Sequence, residues 1–176
     1  MNKLIIPDLL NSLNSILPEI VLSLTLVAII LSDLIFHKNK KLLPYISLIG
    51  LIITFVFLIN QFGKSDAAFP VAAQFSFLSL DPFSLFFKVI ILVSSILIIL
   101  FSVSSKEIES GLDRHGEYYG LIFGMIIGMF FMISANDLIL IYLSLELLSL
   151  SSYILAGFVK TSLRNSEASL KYLIYG

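Results

Sequence analysis

Runs of about twenty apolar residues, separated by short polar segments, constrain this chain more than any other feature. A helix rises 1.5 Å per residue, so twenty residues cover ~30 Å, the hydrocarbon thickness of a bilayer. The composition agrees. Of 176 residues, 58% are hydrophobic and only 13% charged, and the mean hydropathy is +1.01. A soluble domain of this length needs far more polar surface. The chain reads as an all-α, polytopic integral membrane helix bundle in a lipid bilayer.

Other classes fall away quickly. Cysteine is absent, which rules out disulfides, zinc–thiolate sites and iron–sulfur ligation within the chain. A formal net charge of -1 supplies no basic stripe for nucleic acid. Residues 1–17 contain one early lysine and no small-residue cleavage site, so they do not read as a removable signal. No metal-ligand or cofactor motif is present.

The apolar runs predict one membrane domain over 1–176, with spans at about 18–36, 43–60, 83–104, 118–134 and 138–159. A sixth helix starts at about 166. Pro18 and Glu19 suit the first turn of span one, where a proline fits and an acid meets the positive helix end. Ser166 and Glu167 are good first-turn residues for the sixth helix. Residues 61–82 read as a Gly-, Asp- and Pro-containing connection, and 106–117 as a charged, glycine-broken loop. Threading the spans alternately puts Lys38, Lys40, Lys41, Lys106, Arg114, Lys160 and Arg164 on one side. Lys3 and Lys64 fall on the other, so the expected N-terminus is outside.

Four ionisable residues lie in or near the apolar runs. Asp33 reads as an interfacial acid beside His37 and Lys38. Lys88 lies near the outer end of its span, where its stem has the reach to snorkel towards water or Asp81. Lys171 follows Glu167 by four residues, the favourable order for a helical ion pair. Glu146 differs: it sits eight residues beyond Leu138, ~12 Å into a helix. Ionised and unpaired there, it would cost several kcal/mol, so it must be neutral, paired or hydrated. Tyr142, Glu146, Ser149 and Tyr153 share one helix face. Such a stripe can hold water and relay protons, or a neutral Glu146 can hydrogen-bond across a helix interface.

Several stretches carry a resemblance in the right order. "GMFFMISANDLILIYLSLELLSLSSYILAGF" (128–158) and "SEASLKYLIYG" (166–176) resemble the antiporter-like membrane subunit of respiratory complex I, called subunit 2 in mitochondria and subunit N in bacteria. "LPEIVLSLTLVAIILSDLIF" (17–36) is similar to the Leu-Pro-Glu opening of long family members. "LDPFSLFFKVIILVSSILIIL" (80–100) and "GEYYGLIFGM" (116–125) are similar to their third helix and the start of their fourth.

The resemblance implies a non-redox, proton-translocating subunit of NADH:ubiquinone oxidoreductase. No cofactor is expected in this chain; flavin, iron–sulfur clusters and quinone belong to partner subunits. The membrane helices of the family move protons with a glutamate–lysine pair, and Glu146 and Lys171 fall in the matching motifs. A charged lysine favours the Glu146 carboxylate, and moving or neutralising that charge favours proton uptake. Helix counting puts Lys171 ~10 Å nearer the inside than Glu146, so a water-bridged link is expected rather than a direct pair.

The family's seventh, eighth and twelfth helices, with their central lysines, have no counterpart here. The expected partners are therefore other complex I membrane subunits and a second polypeptide that continues the sixth helix from Gly176. A mitochondrial inner membrane is the expected location, with a bacterial cytoplasmic membrane as the alternative. Two rival readings stay open: a subunit of a multi-subunit sodium/proton antiporter, and a purely structural membrane subunit in which Glu146 only packs.

Overall fold

The computed structural model describes residues 12–35, 42–63, 66–72, 75–105, 115–158 and 163–176. Its helices are α1 (Leu17–Ile35), α2 (Leu43–Ile59), α3 (Pro82–Ser104), α4 (His115–Ser134), α5 (Leu138–Ala156) and α6 (Leu163–Tyr175), with a hairpin of β1 (Asp66–Ala72) and β2 (Phe75–Leu80) between α2 and α3. Four helices, α1, α3, α4 and α5, are long and apolar enough to cross a membrane, while α2 is apolar but shorter, at 17 residues.

In hydrocarbon every polar group needs a partner inside the protein. The hydroxyls of these helices meet that demand locally. Ser23, Thr25, Ser47, Thr54, Ser95 and Ser144 each donate to a carbonyl three or four residues back in the same helix. A serine-rich helix is thus as self-contained as an aliphatic one.

Helix α4 is the axis of the bundle. It touches α1, α2, α3, α5 and β2, and half of its most apolar stretch is buried, against 11% for α5. Its core includes Tyr119, Phe123, Ile126 and Phe130. Ser102 Oγ and Tyr119 Oη meet at 3.0 Å and join α3 to α4. Small residues let the backbones approach. A Cβ at Gly128 would lie 3.0 Å from the Ser144 carbonyl oxygen and 3.1 Å from the Leu148 nitrogen.

Three expected boundaries move. Helix α4 starts at His115, inside the stretch read as a loop. Gly116 lies so close to Asp33 that a Cβ there would overlap the carboxyl group. The glycine allows α4 to pack against α1, and it sets the half-buried Asp33 beside the positive end of α4. The expected neighbours of Asp33, His37 and Lys38, lie outside the described residues, as do the basic residues used for orientation, except Arg164. Helix α6 starts at Leu163 rather than near 166. Ser166 and Glu167 therefore stand in its second turn.

The third change is in the 61–82 connection, which forms the antiparallel hairpin. Its register slips between Pro70 and Ala72, as a proline without an N–H requires. The turn between α4 and α5 is stitched to this hairpin. Asn136 receives a hydrogen bond from Ser79 Oγ through Oδ1, and donates from Nδ2 to Ser76 Oγ and from its backbone nitrogen to the Phe77 carbonyl.

Gly128→Val would push methyl groups into backbone that has no room to retreat, with an expected cost of about 1–3 kcal/mol. Gly120, with nothing within 4 Å of its Cβ position, is the control. Gly120→Ala should be neutral or stabilising by up to ~1 kcal/mol. Thermal unfolding of the purified protein in lipid nanodiscs separates the two.

Candidate functional site

The stripe predicted on α5 has the expected face but an unexpected environment. Tyr142 and Glu146 are exposed, with Tyr142 at 64%. Ser149 and Tyr153 are half-buried. Of all α5 residues only Ser144 and Ser151 are buried, because they form the seam against α4. Glu146 thus looks away from α4, out of the bundle.

At its far end the stripe meets α6. The Tyr153 and Tyr172 rings pack edge to face, 4.9 Å between centroids, and Ser169 Oγ donates to the Tyr153 carbonyl at 2.8 Å. Lys171 is the neighbour of Tyr172 in sequence. Its Nζ pairs with Glu167 at 2.6 Å, in the i,i+4 arrangement, with both side chains about two-thirds exposed. A pair this open contributes at most ~0.5 kcal/mol in water, so it leaves Lys171 available for another partner. Among the described residues, Lys171 has no ion pair with Glu146.

A second pair of charges lies at the opposite end of the bundle. Lys88 does not snorkel to water or to Asp81. It is 1% exposed and donates to Glu19 Oε1 at 2.5 Å, and Glu19 is 2% exposed. Asp81 is already engaged as the N-cap of α3: its Oδ1 accepts from the Ser84 nitrogen at 3.0 Å, and Ser84 Oγ accepts from the Asp81 nitrogen at 3.1 Å. That capping box fixes where α3 begins and so turns Lys88 inward. The Lys88 ammonium also lies 5.6 Å from the centre of the Phe130 ring of α4, a cation–π distance worth up to ~2 kcal/mol when desolvated.

The signal for this pair was in the sequence. On α3 the buried positions Leu85, Lys88, Leu92, Ser95, Ile99 and Ser102 recur at alternating steps of three and four. Lys88, Ser95 and Ser102 form a polar line along the buried face of a largely apolar helix, and polar lines in membrane helices face protein. On α1, Glu19, Leu22 and Ile29 make the matching buried stripe.

A small cavity of about 10 Å³ lies at this pair, bordered by Ser15, Glu19, Leu78, Ser79, Lys88 and Ser134. Glu19 Oε2 and Ser134 Oγ are buried there without a hydrogen-bond partner among the described residues. Such a space, with polar groups on two sides, has room for about one water.

Apolar helices that enclose one acid–base pair and display a second acid on an open face define a polytopic membrane protein. Residues 135–176 match the family described as NADH:quinone oxidoreductase/Mrp antiporter, TM. The NADH-quinone oxidoreductase subunit N of Chlorobium chlorochromatii is 39% identical over 173 residues, 98% of this chain and 33% of that protein. The chloroplastic NAD(P)H-quinone oxidoreductase subunit 2 of Chlorokybus atmophyticus is 41% identical over 175 residues, 96% of this chain and 32% of that protein. The NAD(P)H-quinone oxidoreductase subunit 2 of Rippkaea orientalis is 37% identical over 163 residues, 92% of this chain and 30% of that protein. The chain is thus related, along nearly its whole length, to the N-terminal part of the antiporter-like membrane subunits of complex I. It spans about a third of the length of these relatives.

Removing one member of a buried ion pair strands the other and typically costs about 3–5 kcal/mol. Glu19→Ala and Lys88→Ala should each lose that order of stability. Glu19→Gln combined with Lys88→Met should lose much less, because no charge is left unmatched. Unfolding temperatures of the three variants in nanodiscs check this order.

Proposed function

We propose that this chain forms the N-terminal part of a proton-translocating membrane subunit of a NADH-quinone oxidoreductase, and that Glu146 is its principal proton carrier. The observation that carries the reading is the position of Glu146: an acid in the middle of an apolar helix, on a face turned out of the described bundle. A carboxylate cannot face lipid at that depth without a cost of several kcal/mol, so further protein has to cover this face. The relatives, about three times longer, have sequence to supply it. All five apolar helices, α2 included at the short end of the spanning range, are read as crossing the membrane, with the N-terminus and the hairpin outside. A mitochondrial inner membrane remains the proposed location, although the relatives named above are bacterial and chloroplastic.

The chemistry needs no redox group in this chain. Glu146 binds and releases a proton, and the hydroxyls of Tyr142, Ser149 and Tyr153 along its face order water for transfer in either direction. Lys171 acts from α6, where it exchanges its open pair with Glu167 for a water-mediated contact towards Glu146. A positive charge brought nearer to Glu146 favours release of its proton, and a positive charge withdrawn favours uptake. Electron transfer in partner subunits supplies the energy that moves the charge. The relatives, named as NADH-quinone and NAD(P)H-quinone oxidoreductase subunits, favour this reading over a sodium/proton antiporter subunit.

Glu146→Gln in the assembled complex should reduce proton pumping to a small fraction while NADH-driven quinone reduction continues. Lys171→Met should lower pumping less severely. Both are read as the ratio of proton uptake to quinone reduced in sealed vesicles. Wild-type pumping in Glu146→Gln would sink the proposal.

A further inference from the structure

We infer that Glu19 and Lys88 form a second proton-exchange site, reached through the small cavity from the hairpin side of the membrane. Four observations meet there. The pair is enclosed, with both side chains almost fully buried. One carboxylate oxygen, Oε1, is held by Lys88, but the other, Oε2, is unpartnered among the described residues and buried, as is Ser134 Oγ. The cavity that borders both groups has room for about one water. It is partly open among the described residues, with Ser15 and Ser79 also on its border.

The chemistry is a simple proton exchange. A hydronium in the cavity gives its proton to Oε2; its O–H bond breaks, a carboxyl O–H forms, and a water stays behind. Lys88 keeps its three protons, so the pair gains one positive charge, and the reverse step returns it. Phe130 makes the charged intermediate tolerable, since its ring face supports the Lys88 ammonium independently of the charge on Glu19. Among the described residues, the titratable side chain that faces Glu19 is Lys88 of α3. From the other elements packed around the cavity come Phe130 and Ser134 of α4, Ser79 of β2 and Ser15, none of which carries a charge.

A buried carboxylate oxygen without a partner beside a water-sized space calls for an explanation that the ion pair alone does not supply. Here the hairpin, pinned by Asn136 to the turn before α5, roofs the pair. The site lies at the end of α4 from which α5 starts, so it adds an exchange point near one membrane surface to the path through Glu146. To that extent it rests on the proton-moving function proposed above.

The test is infrared difference spectroscopy on the intact complex in sealed vesicles of known orientation, with glutamate labelled at the carboxyl carbon. Acidifying the hairpin side should raise a protonated-carboxyl band that is absent in Glu19→Gln and persists in Glu146→Gln. Should Glu19→Gln fail to assemble, Glu19→Asp keeps a carboxylate near Lys88, and there the labelled band should disappear. Absence of any band that depends on Glu19, or a band that answers only to pH on the opposite side, overturns the inference. In the double variant Glu19→Gln, Lys88→Met, pumping per quinone reduced should fall by more than half, and wild-type pumping would overturn a role in transport. If Glu146→Gln pumps normally while the Glu19 band remains, the failure is that of the Glu146 reading and not of this one.

Discussion

A lysine ammonium closed off among hydrocarbon side chains must find its counter-charge within the protein, and in this chain that requirement ties the first helix to the third. The contact between Lys88 and Glu19 sets the rotation of both helices, since neither residue can turn outward without losing its partner. The rest of each buried stripe follows from that rotation: Leu22 and Ile29 on α1, and Leu92, Ser95, Ile99 and Ser102 on α3. Phe130 of α4 closes the group from the remaining side. The hydrophobic effect supplies no orientation in lipid, where every face is equally apolar to its surroundings. Polar contacts and close backbone packing supply it instead.

Among the described residues, the charged groups at the two ends of the bundle differ in a way that burial alone explains. Glu19 and Lys88 are matched within one bundle and enclosed. Glu146 has no cation beside it among the described residues, and Lys171 holds Glu167 only loosely. The enclosed pair is reached only through its small cavity, whereas the loosely held lysine and the unmatched acid are exposed. The open face of α5 is therefore the face of that helix left uncovered by the described bundle. The small-residue seam on the other side of α5, at Ser144 and Ser151, anchors that helix to α4 while the face of Glu146 stays exposed.

Much of this was legible in the amino-acid sequence, because hydrocarbon imposes a length and a composition that few other environments do. The apolar runs marked the five apolar helices among the described residues to within about three residues, and Pro18, Pro44 and the Asp81–Ser84 box account for where three of them begin. The depth of Glu146 and the line of hydroxyls around it were readable from spacing alone. The direction in which that line points was not, since helical periodicity gives a face and not its neighbours. The hairpin was missed because 66–80 has small residues and a proline where a strand pattern needs alternation. Lys88 was misread because nearness to a helix end suggested water, whereas its register with Ser95 and Ser102 pointed into the bundle. Distance from an end and register are separate measurements, and for a buried charge register decides.

Register also explains why the hairpin belongs to the membrane part of the molecule. Leu78 and Leu80 are buried and Leu78 bridges to Ala135, so β2 rests on the helix ends and does not hang in solvent. A two-stranded ribbon is marginal by itself in water. What holds it is Asn136, whose side-chain amide and backbone nitrogen engage three residues of β2. The same asparagine stands next to Asp137, the N-cap of α5. A short polar turn thus does two things at once. It starts the helix that carries Glu146, and it keeps the roof in place over Glu19 and Lys88, so the two acid sites share a mechanical link through residues 135–137 although they share no contact.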